Sequence, residues 1–217
     1  NATKIAEIFQ LSDVKDGEKH FKKLIIKPSA NHQMILNDSA FWDFTFDEFE
    51  ATNIKLITNL AFGEAAETIE TVTFHSVVNH EQSTYNIWKV ISGLINAQSV
   101  YIPINAHEIP SQAFTPINGK QLKLKTINFS INNKITIRRL AFYNLVHLQK
   151  ISFNEVEKIE REAFSFRINS AERLSIELQI TNQTVIEADS FLGVQRPVNV
   201  KFINSKMSFI PESSFKY

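Results

Sequence analysis

The sequence predicts an α/β solenoid of about eight turns, with a parallel β-sheet on its concave face and short helices or irregular loops on its convex face. Two observations predict this fold. A six-residue unit ending in phenylalanine recurs along the chain, and a stretch of alternating apolar and polar residues precedes most of its copies. Because one such unit cannot bury its apolar side alone, neighbouring units must stack on one another.

The repeated unit consists of an aliphatic residue, four intervening residues and a phenylalanine that usually follows a small residue. Its copies are Leu36/Phe41, Ile57/Phe62, Ile109/Phe114, Ile137/Phe142, Ile159/Phe164, Ile186/Phe191 and Ile210/Phe215. The interval between Phe62 and Phe114 is about twice as long as the others, which indicates one degenerate unit between them. With that unit included, the repeats account for most of the chain.

Short strands with period-two alternation are expected before these phenylalanines. In chain order they are KKLII (22–26), DFTF (43–46), IETVTF (69–74), SVYIPI (99–104), LKTINF (124–129), LQKISF (148–153), RLSIEL (173–178) and VNVKF (198–202). Residues 1–20, with the apolar strip IAEIFQL (5–11), are predicted to cap the front of the solenoid, and residues 21–217 to form it as a single domain. No cap is evident after Phe215, so we expect self-association at that end or a longer natural chain.

AFYNLVHLQKISFNEVEKIEREAF (141–164) resembles one complete unit of the leucine-rich repeat family, with isoleucine and phenylalanine replacing many leucines. More narrowly, AFWDFTFDEFEATNIKLITNLAF (40–62) and EIPSQAF (108–114) are similar to secreted arthropod leucine-rich-repeat proteins related to the non-catalytic subunit of shrimp (oplophorus) luciferase. The resemblance to the leucine-rich repeat family covers about residues 20–217 and implies protein partners rather than cofactors. The asparagine that usually follows the strand is mostly absent here, and so are cysteine-rich end caps.

The predicted binding site is the outward side of the strands on the concave face. Because strand residues alternate, an inward Ile127 places Thr126 and Asn128 in solvent. The outward set contains Thr71, Thr73, His75, Ser99, Tyr101, Thr126, Asn128, Ser130, Lys150, Ser152, Asn154, Ser175, Glu177, Gln179, Asn199 and Lys201. These hydroxyl- and amide-rich side chains can hydrogen-bond an extended peptide or a glycan. The alternative is that they are only the solvated side of a sheet and that ligands dock on the loops.

Most catalytic and cofactor chemistry has no motif in this chain. There are no cysteines and only 5 glycines, and neither a glycine-spaced nucleotide fingerprint nor a serine nucleophile elbow occurs. The histidines show no metal-ligand spacing, and the acids of FWDFTFDEFE (41–50) lack the glycine bend of a calcium loop. We therefore expect no enzyme activity, no cofactor and no metal.

The balance of charge also limits the partners. Lysine plus arginine equals aspartate plus glutamate, at 23 each, so we expect no nucleic-acid partner. No apolar run is long enough to predict a membrane span. Sequons for N-linked glycans occur at Asn1, Asn37, Asn128 and Asn182, so we expect a secreted glycoprotein. The sequence begins with Asn1 rather than methionine, so either a leader was removed, which we favour, or the sequence starts within a longer gene product.

The leading hypothesis is a secreted, non-catalytic module that binds a protein, or alternatively a glycan, through its repeat surface. A partner subunit of an oxidative enzyme is one version that the resemblance implies. The first rival is a structural or storage protein without a dedicated ligand. The second is a glycan hydrolase on the solenoid, which would need a pocket of acids with at least one raised pKa.

Overall fold

The structure is a computed structural model. It describes residues 20–29, 32–38, 40–41, 44–58, 60–76, 79–80, 87–104, 106–116, 119–131, 134–166, 171–203 and 209–215. The predicted cap lies outside these residues, apart from His20, with which the first strand begins. Asn1 lies outside them as well.

An eight-stranded parallel sheet, here called the main sheet, runs the length of the described chain. Its strands in spatial order are β1 (His20–Ile26), β3 (Thr45–Ala51), β5 (Thr71–Phe74), β7 (Ser99–Ile104), β9 (Thr126–Ile131), β11 (Lys150–Phe153), β13 (Leu174–Gln179) and β15 (Val198–Ile203). Spatial order equals chain order, with one other strand between each consecutive pair. The predicted fold, an α/β solenoid with a parallel β-sheet along it, is therefore confirmed, although the described part of the chain contains few helical residues.

The intervening strands form two further parallel sheets that the sequence analysis did not predict. One contains β2 (Met34–Leu36), β4 (Ile54–Ile57) and β6 (Asn79–His80); the other contains β8 (Glu108–Ile109), β10 (Ile135–Ile137), β12 (Val156–Ile159) and β14 (Val185–Ile186). Six aliphatic residues of the repeated unit are the last residues of such strands, and all six are buried: Leu36, Ile57, Ile109, Ile137, Ile159 and Ile186. The repeated aliphatic residue thus anchors a second strand in each of these turns.

The turn before each phenylalanine is left-handed in five units. Gln112, Leu140, Glu162, Asp189 and Ser213 have φ between 52° and 68°. This conformation costs L-residues about 1–2 kcal/mol each. Backbone hydrogen bonds between successive turns offset the cost, because the N–H of Gln112 donates to Leu140, that of Leu140 to Glu162, and that of Glu162 to Asp189.

The phenylalanines of these units stack into a row inside the core. Ring centroids are 5.8 Å apart for Phe114 and Phe142, 5.2 Å for Phe142 and Phe164, 4.8 Å for Phe164 and Phe191, and 4.6 Å for Phe191 and Phe215. Interplanar angles between 4° and 21° make all four pairs stacked. Each ring therefore packs mainly against those of the adjacent turns, as expected for a repeat array.

Helix α1 (Ile87–Gly93) lies in the predicted degenerate unit, between Phe62 and Phe114. Its buried Trp88 meets Phe114 and Phe129 edge to face, with centroids 5.9 and 5.3 Å apart. A 3-10 helix, Gly63–Glu67, precedes β5. Short helices outside the main sheet agree with the prediction, and a tryptophan here fills the core where the repeated unit is not recognisable.

The predicted strand DFTF (43–46) is wrong in its position, because β3 begins at Thr45 and continues to Ala51. Phe46 and Phe49 are both buried, with Asp47 and Glu48 between them. Two consecutive outward residues break the strict alternation from which the shorter strand was predicted. The bounds of β3 follow from its pairing with β1, in which His20 lies opposite Thr45 and Ile26 opposite Ala51.

Candidate functional site

The predicted outward residues do lie on the side of the main sheet that faces away from the core, here called the outer face. In β9, Ile127 and Phe129 are buried while Thr126 and Asn128 are half-buried. In β13, Leu174, Ile176 and Leu178 are buried and Ser175, Glu177 and Gln179 are not. The side chain of Ser130 lies outside the described residues. A register error of one residue, which would have inverted the face, is thereby excluded.

Strand pairing arranges these residues into rows across the sheet. One row contains Thr71, Ser99, Thr126, Lys150, Ser175 and Asn199, and the next contains Thr73, Tyr101, Asn128, Ser152, Glu177 and Lys201. Of the remaining four, His75, Asn154 and Gln179 lie one step further along their segments, beyond the second row, and the backbone of Ser130 does so in β9. The structure therefore brings the predicted site residues together on one continuous surface. Whether they bind anything stays a prediction.

Charges at the front of the outer face neutralise each other. Glu50 lies 2.8 Å from Nζ of Lys23 and 3.0 Å from Nε2 of His75, and Lys27 is 3.8 Å away. The hydrogen bond from Lys23 outweighs the effect of burial and lowers the pKa of Glu50, and the same bond raises the pKa of Lys23. This cluster keeps its carboxylate ionised and already hydrogen-bonded.

The centre of the outer face is uncharged. Between the front cluster and Lys150, the two rows hold only Thr71, Ser99 and Thr126 in one and Thr73, Tyr101 and Asn128 in the other. Tyr101 is 37% exposed, whereas its neighbours in the row are half-buried. Beyond the centre, Glu177 lies 4.0 Å from both Lys150 and Lys201. The surface thus offers hydroxyl and amide groups around one aromatic ring, with loose ion pairs at its far side.

A second polar surface, which sequence reasoning missed, crosses the sheet of β8, β10, β12 and β14. Arg138 binds Glu108 at 2.7 Å and Glu160 at 2.8 Å, and Lys158 binds Glu187 at 2.6 Å. The hydrogen bond to Glu160 raises the pKa of Arg138. The acidic and basic residues of IRRLAF (137–142), IEREAF (159–164) and IEADSF (186–191) were the available signal, since they stack turn upon turn.

The carboxylates of this network are held ionised. Burial favours the neutral form of Glu160, but hydrogen bonds from Arg138 and from the N–H of Arg139 prevail and lower its pKa. The hydrogen bond from Lys158 lowers the pKa of Glu187. Because these charged groups already form ion pairs with one another, we interpret the network as a set of contacts that link successive turns rather than as a ligand site.

No three His, Asp or Glu side chains are grouped to hold a metal ion in the part of the chain that the structure describes. No helix among the described residues is long and apolar enough to cross a bilayer. At the C-terminal end, Phe209, Ile210 and Phe215 are exposed. This agrees with an uncovered core edge in the described chain, whereas self-association there stays a prediction.

The described sequons differ in their surroundings. Asn128 lies in the middle of β9 between Tyr101 and Ser152, where an attached glycan would cover the centre of the outer face. Asn182 is exposed in a turn after β13, and Asn37 is half-buried after β2. A turn is where an acceptor asparagine is expected, so Asn182 has the most suitable position of the three.

A family model for the BspA-type leucine-rich repeat region matches residues 34–171 and 89–217, with 6 copies of the repeat. The chain is therefore a leucine-rich-repeat protein. It belongs to the BspA-type leucine-rich repeat family. The 6 matched repeats are two fewer than the eight strands of the main sheet. Leucine-rich repeats generally mediate protein binding or scaffolding. No curated protein matches the chain.

Proposed function

We propose that this chain is a secreted, non-catalytic module that binds an extended protein segment across the outer face, with Tyr101 as the anchor. The observation that carries the proposal is the uncharged centre of the outer face, where the exposed ring of Tyr101 is surrounded by hydroxyl and amide groups. Tyrosine is enriched among the residues that dominate protein interfaces, because it buries a large ring and keeps a hydroxyl for hydrogen bonding.

The chemistry of the rows favours a protein over a glycan as the ligand. An extended peptide presents N–H and C=O groups at regular intervals, and the side chains of Thr73, Asn128 and Ser152 can donate to or accept from both. A glycan would usually stack on several aromatic rings, and Tyr101 is the single aromatic residue of the two rows between β5 and β15.

The pKa directions of three carboxylates offer no general acid to the hydrolytic rival. A glycan hydrolase needs a general acid whose pKa is raised so that it is protonated near neutral pH. Glu50, Glu160 and Glu187 instead have lowered pKa values because basic groups bond to them. None of these three carboxylates has the property that the hydrolytic rival requires.

A finer version of the proposal makes this chain the non-catalytic partner of a secreted oxidative enzyme. It rests on the similarity of residues 40–62 and 108–114 to secreted arthropod proteins related to the luciferase subunit. In that case the protein bound at the outer face would be the catalytic subunit itself.

The test compares the wild type with the double variant Tyr101→Arg, Ser152→Arg in affinity capture from the secretions of the source tissue, followed by mass spectrometry. Both changed residues lie on the outer face, so the folded core is left intact. Val185→Arg is the matched control, since Val185 is exposed on the other sheet. We expect a partner that the wild type and the control retain and the double variant loses.

A partner retained equally by all three chains would place binding elsewhere and refute the outer face as the site. Capture of nothing by a folded wild-type chain would favour the structural or storage rival. Binding constants for the identified partner would then be measured with purified wild-type protein and with Tyr101→Ala. If Tyr101 is the anchor of the interface, its truncation should cost at least about 2 kcal/mol of binding free energy.

A further inference from the structure

β15 (Val198–Ile203) is the last strand of the main sheet, and its one neighbour among the described strands is β13. Its inward side chains, here called the apolar row, are those of Val198, Val200 and Phe202. They are only half-buried, whereas the three aliphatic residues paired with them in β13 are fully buried. With Phe191 and Phe215, among others, the apolar row lines a cavity of about 430 Å³. The described chain therefore covers the apolar row only in part.

The backbone of the apolar row also faces the free edge of β15. The N–H of Leu174 in β13 donates to the C=O of Pro197, and the N–H of Ile180, just after β13, donates to that of Ile203. Successive residues of a strand direct their N–H and C=O groups to opposite sides, so the odd-numbered residues of β15 bond to β13. The even-numbered residues, which form the apolar row, direct theirs away from β13. An edge of this kind is a template for another strand.

β15 has few of the features that keep edge strands from pairing. All six of its residues pair with β13 in one continuous register, and the strand contains no proline. Its single charged residue, Lys201, lies on the outer face, 4.0 Å from Glu177. At the opposite edge of the main sheet, β1 exposes the basic residues His20, Lys22 and Lys23. Pairing of β15 with β1 of another copy would therefore bring basic residues together, which favours a second β15 as the partner strand.

We propose that two copies of the chain form a dimer in which their β15 strands pair antiparallel about a twofold axis at Val200. In this register Val200 lies opposite itself and Val198 lies opposite Phe202. Asn199 lies opposite Lys201, so no two like charges are directly opposed. The apolar row of one copy thus meets that of the other, and its N–H and C=O groups hydrogen-bond across the axis. A shift of one residue would oppose inward residues to outward ones.

The proposed dimer is isologous, because the same strand contributes to both sides of the interface. It joins two eight-stranded sheets into one sheet of sixteen strands, which is two times eight. Both outer faces lie on the same side of this sheet, since paired strands keep their outward residues on one side. The dimer does not depend on what the outer face binds, and it leaves both copies of that face open.

The first test places a single cysteine on the twofold axis. The chain has no cysteine of its own, so one introduced thiol reports one position. In Val200→Cys the two thiols belong to directly opposite residues, whose Cα atoms lie about 5.5 Å apart, within disulfide reach. Val198→Cys is the matched control, because Val198 of the second copy lies opposite Phe202, roughly 13 Å further along the strand. After mild oxidation we expect a disulfide dimer of Val200→Cys on a non-reducing gel and a monomer of Val198→Cys.

The second test measures the dissociation constant of the dimer by sedimentation equilibrium at low ionic strength. Asn199 is exposed, so its substitution leaves the fold of each copy intact. Asn199→Lys places a basic side chain opposite Lys201, and Asn199→Glu places an acidic one there, twice in each dimer. We expect the first variant to weaken the dimer and the second to strengthen it, each by about threefold or more, and both effects to shrink in high salt.

A wild-type chain that stays monomeric at high micromolar concentration would overturn the proposal. So would cross-linking of Val198→Cys as readily as Val200→Cys, because the strands would then not pair in this register. A dimer that Asn199→Lys and Asn199→Glu leave equally strong would show that other exposed residues of this end, such as Phe209, hold the copies together, which equally contradicts pairing of β15. Circular dichroism of each variant checks that its β structure is retained.

Discussion

Truncation of one ring in the phenylalanine row tests the stacking that holds the turns together. Phe164 is fully buried, and its centroid lies 5.2 Å from Phe142 and 4.8 Å from Phe191. Phe164→Ala removes the ring from both neighbours and leaves a cavity that the adjacent turns cannot fill without breaking strand pairing. We expect the free energy of unfolding to fall by about 3–5 kcal/mol, as for fully buried phenylalanines.

Two comparison variants separate the effect of burial from the effect of lost volume. Phe215→Ala removes a ring that is 44% exposed and stacks on Phe191 alone among the row, so the expected loss is roughly half, about 2 kcal/mol. Phe164→Leu keeps most of the volume and loses the stacking, so it should cost less than about 1.5 kcal/mol.

Urea unfolding followed by circular dichroism measures these differences, and fluorescence of the tryptophans checks that both probes report one transition. A loss for Phe215→Ala as large as that for Phe164→Ala would refute the reasoning, because the effect would then not follow burial. So would a Phe164→Leu variant as unstable as the alanine variant, since volume would no longer matter.

Three further predictions concern other parts of the chain. Gln112→Gly should raise the free energy of unfolding by roughly 0.5 kcal/mol, because glycine relieves about 1–2 kcal/mol of left-handed backbone strain and loses part of this gain to backbone entropy. The urea midpoint of unfolding measures the change in stability. A loss of stability would contradict the strain at this residue. Glu160 and Glu187 have folded pKa values below their ordinary ones, so the stability they contribute is present above the ordinary glutamate pKa and is lost as pH falls through the folded values. The double variant Glu160→Gln, Glu187→Gln should therefore show a flatter decline of the urea midpoint in acid, and an unchanged slope would exclude these groups as the cause. When the chain is expressed in a glycosylating host, Asn182→Gln should lose the mass of one glycan and Asn128→Gln should lose none, as measured by intact-mass spectrometry. The reverse result would show that a glycan at Asn128 covers the centre of the outer face.

The features that the sequence predicted are those carried by residue type at a recurring offset. Ile57 and Ile159 precede their phenylalanines by the same five positions, and both are buried at the end of a strand. Alternation in LKTINF (124–129), with Ile127 and Phe129 inward, was enough to predict which side of the main sheet faces solvent. These patterns are local, so reading them requires no knowledge of which turns are neighbours.

The features that the sequence did not predict depend on contacts between turns. Strands such as Val185–Ile186 contain too few residues to show a period. The ion pair between Arg138 and Glu160 joins residues 22 positions apart, and unit lengths vary, so the pairing register cannot be derived by counting. Arg196 bonds to Val146, 50 positions away, and its burial follows from the packing of three separate turns. For the same reason Trp88 could not be recognised as the ring of the degenerate unit.

The stacked rings join neighbouring turns inside the core in addition to the strand pairing. Phe142 and Phe164 lie 5.2 Å apart and Phe164 and Phe191 4.8 Å apart, close to the roughly 4.8 Å that separates neighbouring strands. Separating two of these turns therefore breaks a ring pair together with the strand pairing. Each stacked pair thus couples the stability of its two turns, as nearest-neighbour contacts do in a repeat array.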